Sequence, residues 1–215
     1  MATDGNKEYT SQERHRMVKE QIEARGISNR ALLAALEKVP RHLFIPLELR
    51  EYAYSDQALP TYFNQTISQP YIVAKMTELL SLKKNDRVLE IGTGTGYQTA
   101  ILAELTGEVY TMEIIPELHE KAKSNPVIQS YHNIHFILGD GYQGHPAAAP
   151  YNAIIVTAAP AYIPEALISQ LAPKGRMVVP IGTYDQTLYL LTKDINHKVT
   201  MHPLLSVRFV PMIKK

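Results

Sequence analysis

Cysteine is absent from this chain of 215 residues, and so is tryptophan. The lack of thiols excludes disulfides, thiolate nucleophiles and sulfur-ligated metal sites. An excess of one charge is also missing, because 22 Lys and Arg residues face 21 Asp and Glu residues. No overall field therefore attracts nucleic acid, an anionic membrane or an acidic substrate, and a charged ligand must be recognised locally.

Long apolar runs are missing as well. No segment approaches the ~20 apolar residues of a membrane span, and the first residues do not read as a signal peptide. We therefore expect a cytoplasmic protein that binds neither membrane nor nucleic acid, with a monomer as the expected state. The eight histidines form no convincing ligand set for a metal, since His132 and His135 are three apart at the start of a predicted strand.

Length and composition favour one globular domain. Hydrophobic residues make up 45% of the chain and charged residues 20%, and no repeat or linker divides it. The pattern changes near residue 85. Residues 1–84 are predicted to form a helical extension that also carries a loop for the substrate, and residues 85–215 a cofactor-binding sheet.

Two helices are predicted early in the extension. Thr10 and Glu13 have the spacing of a capping box, which predicts a helix start there, and Gly26 ends the apolar periodicity. A second helix is predicted to begin at Ser28 and to end before Pro40.

Short apolar runs then alternate with helical patterns, which is typical of a parallel sheet covered on both faces. The predicted strands are Arg87–Ile91, Val109–Ile114, Ile134–Leu138, Asn152–Thr157, Met177–Pro180 and Leu188–Thr192, with Val199–Val210 as an antiparallel edge. The fold class is therefore α/β, a doubly wound, mostly parallel, Rossmann-like sheet. Ligands of such sheets bind beyond the carboxyl ends of the strands.

A glycine-rich turn follows the first predicted strand and leads into a predicted helix, Tyr97–Leu105. The sequence from the end of the strand through the turn is Glu90-Ile91-Gly92-Thr93-Gly94-Thr95-Gly96. A dinucleotide fingerprint has two residues between its second and third glycines, whereas only Thr95 stands there. The pattern resembles motif I of class I methyltransferases, which implies that S-adenosylmethionine binds at Gly92–Gly96, with Glu90 helping to hold its ammonium. A tight turn without a ligand is the alternative.

Acids follow the next two predicted strands. Glu113 ends the second strand, where a carboxylate could accept hydrogen bonds from both ribose hydroxyls. Asp140 and Gly141 follow the third strand, and Asp140 resembles the acid that reads the adenine amino group in these enzymes. Each acid alone also reads as an ordinary strand-end or turn residue, but three at successive strand ends favour one cofactor site.

The chain resembles the protein-L-isoaspartate O-methyltransferase family from about residue 11 onward. Six collinear pieces carry this resemblance: Val39–His42, Asp56–Pro60, Gln65–Pro70, Gly96–Gln98, Ile115–Leu118 and Val207–Met212. The stretch Thr66-Ile67-Ser68-Gln69-Pro70 is the most specific to the family. The resemblance implies repair of damaged proteins that contain isoaspartyl residues. Substrate contacts are expected from Asp56, Leu59, Pro60, Gln65, Thr66, Ile67, Val207, Arg208, Phe209 and Val210.

One short segment departs from the family pattern. Bacterial relatives commonly have Ile-Gly-x-Gly where this chain has Thr61-Tyr62-Phe63-Asn64. Losing two flexible positions is expected to stiffen or redirect the loop, and Asn64 is the residue better able to adopt a left-handed conformation.

The implied reaction is methyl transfer to the free α-carboxylate of an isoaspartyl residue, followed by succinimide formation. That nucleophile has a reference pKa of ~3.5 and needs no general base. Pro70 fits the first turn of a helix that continues through Leu79, so Ser68 or Gln69 is its predicted N-cap. Ser68 is predicted to orient the carboxylate at this helix end. A plain capping role for Ser68 remains the alternative, whereas a covalent serine nucleophile lacks the Gly-x-Ser-x-Gly context.

Two other functions fit parts of the sequence, and a third fits it less well. A methyltransferase of small molecules would keep Glu90, Glu113 and Asp140 but need no peptide groove. A silent module would bind the cofactor or a protein without catalysis. An NAD oxidoreductase disagrees with the glycine spacing.

Overall fold

A seven-stranded sheet forms the centre of the protein, whose residues 4–214 are described by a computed structural model. Its spatial order is β5-β4-β3-β6-β7-β8-β9, and a separate hairpin, β1–β2, lies outside it. The strands are β1 Leu59–Pro60, β2 Thr66–Ile67, β3 Arg87–Ile91, β4 Glu108–Glu113, β5 Ile134–Leu138, β6 Tyr151–Val156, β7 Leu171–Ile181, β8 Gln186–Lys193 and β9 Val199–Val207.

The strands from β3 to β7 pair in parallel, which confirms the doubly wound class. From β3 the chain moves outward to β4 and β5, and it then returns to place β6 on the other side of β3. The chain thus leaves β3 and β6 in opposite directions. A crevice for a ligand is expected at this point, above the carboxyl ends of these two strands.

Including Leu188–Thr192 among the parallel strands was wrong, because β8 pairs antiparallel with β7. Only residues 182–185 join the two strands, and so short a connection can form a hairpin but not a crossover. The last strand, β9, pairs antiparallel with β8 as predicted.

The first helix, α1, spans Asp4–Arg16 and continues as a π-helix, Met17–Ile22, and a short 3₁₀ turn. The predicted start at Thr10 is wrong. Residues three apart share a face within a helix as well as at its start, so the Thr-x-x-Glu spacing is ambiguous. Gly26 ends this run at a φ of 89°, as predicted.

The second helix, α2, spans Arg30–Lys38 and ends before Pro40 as predicted. It begins two residues later than the predicted Ser28, because Asn29 is its cap: the Asn29 side chain accepts a hydrogen bond from the Leu32 amide at 3.1 Å. The remaining helices are α3 Pro70–Leu79, α4 Tyr97–Leu105, α5 Pro116–Lys123, α6 Pro126–Gln129 and α7 Glu165–Gln170. Both α3 and α4 have the predicted bounds.

The N-terminal helices share a hydrophobic core with the sheet domain. Met17, Ile22 and Leu36 are buried in one cluster with Tyr97 and Ile101 of α4. This packing places the segment from 39 to 69 beside the glycine-rich loop that follows β3.

Candidate active site

A pocket lies above the carboxyl ends of β3, β4 and β6. The segments that enclose it include the glycine-rich loop, the start of α5, the β1–β2 hairpin with Ser68, and the C-terminal segment 210–213. Among the described residues that line it, Glu113 has the only charged side chain. The other walls are apolar or neutral, which suits a ligand recognised through few polar contacts.

The glycine-rich loop brings backbone directly to the pocket. Gly92, Gly94 and Gly96 have φ angles of 97°, 56° and 88°, a region that favours glycine. A Cβ atom on Gly92 would lie 2.5 Å from the Thr157 hydroxyl oxygen, which donates hydrogen bonds to Ile91 and Gly92 carbonyls. The tight turn therefore requires glycine at this position for both its φ angle and its space.

Glu113 connects the end of β4 to the glycine-rich loop. One carboxylate oxygen accepts a hydrogen bond from the Gly94 amide at 2.9 Å, and the other accepts from the amides of Ile114 and Ile115. The residue is 6% exposed and lines the pocket. The oxygen that accepts from Gly94 keeps a second lone pair, whereas the other oxygen already accepts two bonds, so the carboxylate retains acceptor capacity for one further hydroxyl.

Glu90 does not line the pocket. Its side chain is fully buried behind the loop, where one oxygen accepts hydrogen bonds from Thr99 at 2.5 Å and Thr111 at 2.6 Å. Burial raises the pKa of Glu90 to about 8, against the smaller lowering effect of the two hydroxyls. This position favours an indirect role, in which Glu90 ties β3 to α4 and β4 beneath the glycine-rich loop.

Asp140 and Gly141 lie at the end of β5, at the edge of the pocket. Gly141 lines it, and a Cβ atom there would collide with the side chains of Ile91 and Met212. Asp140 accepts a hydrogen bond from the Tyr142 amide at 2.9 Å and is half-buried. Its neighbours in sequence line the pocket, although Asp140 itself is not among the lining residues.

Ser68 lies just before α3 and lines the pocket. Gln69 occupies the N-cap position, but its side chain makes no capping bond and reaches instead to Asp56 at 2.8 Å. Among the described residues, none is hydrogen-bonded to the Ser68 hydroxyl, whereas the Ser68 carbonyl accepts a bond from Arg41. A plain capping role for Ser68 therefore has no support in the geometry.

A groove continues from the pocket across the surface. Its walls are residues 56–58 on one side and residues 206–209 on the other, and Thr66 and Ser68 line both groove and pocket. Asp56, Val207, Arg208 and Phe209 of the predicted substrate set lie in the groove. Gln65, Ile67 and Val210 line the pocket instead. Leu59 and Pro60 line neither and form β1, which pairs with β2.

The loop that departs from the family pattern is strained. Phe63 and Asn64 both have positive φ angles, 57° and 58°, so the left-handed conformation falls on Phe63 as well as on the expected Asn64. The Tyr62 ring lies under the Lys121 ammonium of α5 at 3.7 Å. This contact connects the hairpin to the helix on the opposite wall of the pocket.

Across residues 4–214, no helix combines the length and the apolar composition needed to cross a bilayer. Among residues 10–214, whose side chains are described, no group of three or more His, Cys, Asp or Glu side chains is placed to hold a metal ion.

A family model described as protein-L-isoaspartate(D-aspartate) O-methyltransferase matches residues 12–215. The chain belongs to this family. A protein-L-isoaspartate O-methyltransferase from Picosynechococcus sp. is 52% identical over 199 residues, which cover 93% of this chain and 89% of that protein. Its counterpart from Methanoculleus marisnigri is 50% identical over 202 residues, covering 94% and 91%.

Solved structures of the family have the same fold. One protein-L-isoaspartate O-methyltransferase superposes with a TM-score of 0.83 at 31% identity, over 92% of this chain and 65% of that longer chain. A Plasmodium falciparum protein-L-isoaspartate O-methyltransferase in complex with S-adenosyl-L-homocysteine has a TM-score of 0.80 at 26% identity, over 94% and 99%. The family resemblance drawn from the sequence is thereby confirmed.

Sequence reasoning missed several residues that line the pocket of this family member. Thr157 and Ala158 follow β6, and the rule that strand ends carry the ligand site could have identified them. Leu118 and Met212 lie in stretches that carry the family resemblance, but nothing in the sequence indicated that they, or Ile213, would line the pocket. Their apolar side chains read equally well as core residues, and only tertiary packing brings them to the pocket.

Proposed function

We propose that this pocket holds S-adenosylmethionine and that Ser68 orients the substrate carboxylate beside it. The glycine-rich loop, Glu113 and Gly141 would hold the cofactor. Two observations support the fit: glycine at positions 92 and 141 lets the backbone pack tightly at the pocket, where a Cβ atom would collide with neighbouring side chains, and the single acid of the pocket keeps one acceptor position for a hydroxyl. The observation that carries the proposal is that Ser68 lines both the pocket and the groove.

The reaction is that of the family, methyl transfer to the free α-carboxylate of L-isoaspartyl residues in damaged proteins. S-adenosylmethionine, when bound, supplies a methyl group activated by a positive sulfonium. The resulting ester can close to a succinimide, which reopens in part to a normal aspartyl residue.

The residues of this chain have to align the carboxylate and to exclude water. No general base is needed, because the nucleophile is ionised at neutral pH with a reference pKa of ~3.5. The hydroxyl of Ser68 can donate a hydrogen bond to the carboxylate, and the first turn of α3 can add donors, although Pro70 has no N–H and the Val73 amide already donates to the Gln69 carbonyl. Apolar side chains of Val73, Met76 and Leu118 keep that region dry.

The groove accepts the substrate chain on either side of the isoaspartyl residue. Residues 66–67 form a strand, and β9 ends at Val207, so exposed backbone borders the groove on both sides. Hydrogen bonds to backbone would hold peptides with little regard to their side chains. The near balance of charge supports our further proposal that the protein acts without nucleic acid. We also propose that it is a monomer and acts in the cytoplasm.

The deciding experiment supplies methyl-labelled S-adenosylmethionine with isoaspartyl peptides of unrelated sequence and with their aspartyl twins. We expect methylation of every isoaspartyl peptide and of no aspartyl peptide, because only the isoaspartyl linkage leaves the α-carboxylate free. Equal methylation of both forms would contradict the repair function but leave a general carboxyl methyltransferase. Methylation of neither form, with methyl transfer to small carboxylic acids, would favour an enzyme of small molecules.

Ser68→Ala tests the role of the hydroxyl. We expect kcat/KM for an isoaspartyl peptide to fall by the equivalent of roughly 1–3 kcal/mol, the loss of one hydrogen bond to a charged group. The affinity for S-adenosylhomocysteine, measured by calorimetry, should stay unchanged. Full turnover by a folded Ser68→Ala variant would show that the hydroxyl does not orient the carboxylate.

A further inference from the structure

Arg41 is fully buried immediately behind Ser68. It opens a short 3₁₀ turn at residues 41–44, and its side chain is 0% exposed. Its guanidinium donates hydrogen bonds to the Ala53 carbonyl and to the Ser68 carbonyl, both at 2.8 Å. The central carbon of this group lies 4.9 Å from the centre of the Tyr97 ring. Arg41 therefore contacts the chain that precedes α3 and the first residue of α4.

The charge of Arg41 has no acidic partner among residues 10–214, whose side chains the structure describes. Both of its hydrogen bonds go to backbone carbonyls, and its Nη1 atom has no hydrogen-bond partner in the described structure. Burial lowers the pKa of Arg41 to about 10, and the guanidinium still remains charged at neutral pH. Burying an unpaired cation is costly, so a purely structural anchor would be better served by a neutral side chain.

The position of this cation matters because of what lies in front of it. Ser68 and Tyr97, the two residues that Arg41 contacts on this side, both line the pocket. The lining itself contains no Lys, Arg or His among the described residues, and its only charge is the carboxylate of Glu113. In the complex with S-adenosylhomocysteine, which lacks the sulfonium charge, a second carboxylate that enters beside Ser68 would meet the negative charge of Glu113 unless a cation behind the wall offset it.

We propose that Arg41 is a positioning residue that holds the Ser68 segment and complements the negative charge of the substrate carboxylate from behind. The inference rests on the proposed function, since it requires that an anion binds at Ser68. Opposite charges several ångströms apart in a partly dry site attract each other more strongly than they do in water. That attraction acts on the charged substrate and not on a neutral copy of the same shape.

The test compares two peptides on the complex of the enzyme with S-adenosylhomocysteine. One peptide carries an isoaspartyl residue with its free α-carboxylate, and the other carries the α-carboxamide at the same position. Calorimetry gives the ratio of their affinities. We expect wild type to prefer the carboxylate and Arg41→Met to lose about tenfold of this preference. Arg41→Lys should retain most of it, because the charge remains.

Arg176→Met is the matched control. Arg176 also anchors backbone at α3, but at the far end of the helix, where it donates to the Leu79 carbonyl at 2.8 Å. Its loss should lower stability and leave the affinity ratio unchanged. If Arg41→Met yields too little folded protein, Arg41→Gln removes the charge while keeping a hydrogen-bond donor and gives the same comparison.

Three outcomes separate the possibilities. An equal loss of affinity for both peptides in the Arg41 variants would overturn the inference, because Arg41 would then be only an anchor. If the affinity ratio falls in Arg208→Met but is unchanged in Arg41→Met, the cation that complements the substrate carboxylate is Arg208 in the groove, and the inference about Arg41 is wrong. Wild-type enzyme that neither methylates the isoaspartyl peptide nor prefers the carboxylate would instead contradict the proposed function itself.

Discussion

The buried carboxyl group of Glu90 makes the stability of this protein depend on pH in a way that Glu90→Gln should abolish. Glutamine has nearly the same shape as a protonated glutamate, and its carbonyl can still accept hydrogen bonds from Thr99 and Thr111. The remaining oxygen of Glu90 has no partner in the described structure, so neither side chain is fully satisfied there. This unsatisfied position adds a pH-independent difference between the unfolding free energies of wild type and variant.

The size of the effect follows from the pKa. Burial raises the pKa of Glu90 from 4.5 to about 8, and each pKa unit corresponds to 1.36 kcal/mol. The stability that protonated Glu90 contributes relative to its ionised form is therefore about 5 kcal/mol. Between these two values the unfolded chain has released the proton and the folded protein has kept it. The free energy of unfolding of wild type therefore falls as pH rises through this window, by up to about 1.4 kcal/mol per unit.

The assay is urea unfolding of wild type and Glu90→Gln without cofactor at several pH values from 5 to 9. We expect the free-energy difference between them to move in favour of the variant as pH rises, and to level off above pH ~8. Glu48→Gln, which removes an exposed acid far from the site, controls for general pH effects. A difference that stays flat over the whole range would show that Glu90 is not held protonated by burial.

Three further changes test the site and its strained loop. Gly92→Ala should weaken binding of S-adenosylhomocysteine by about tenfold in calorimetry, because the new Cβ would collide with Thr157 at a φ unfavourable for alanine; unchanged affinity would contradict the close approach. Glu113→Gln should weaken the binding of S-adenosylhomocysteine by roughly 10- to 100-fold, because hydrogen bonds to a charged group are lost. If Asp140→Asn weakens this binding more than Glu113→Gln does, the main polar contact is made by Asp140 instead. Phe63→Gly should raise the free energy of unfolding by up to about 1 kcal/mol, since relief of left-handed strain exceeds the entropy of glycine; Phe63→Ala, which keeps the strain, should not.

Local patterns were sufficient for much of the fold and for part of the site. The strand bounds of β3 and β5 and the helices that begin at Pro70 and Tyr97 agree with the sequence predictions. Apolar runs, proline at a first turn and glycines with positive φ are all governed by the nearest few residues. The meeting of the glycine-rich loop and Glu113 in one pocket followed from the predicted parallel sheet, because parallel strands bring their carboxyl ends to one edge. Their roles toward a cofactor stay a prediction.

Long-range packing decided the rest. No local sequence signal indicated that Glu90 would be buried behind the loop rather than face the pocket, since its burial depends on contacts with α4 and β4. Nor did residues 39–42 reveal that Arg41 would lie behind Ser68, 27 positions away in the chain. The burial of Glu90, the pKa of its carboxyl group and the electric field around Ser68 all depend on contacts between segments that are distant in the sequence. Only the tertiary structure determines those contacts.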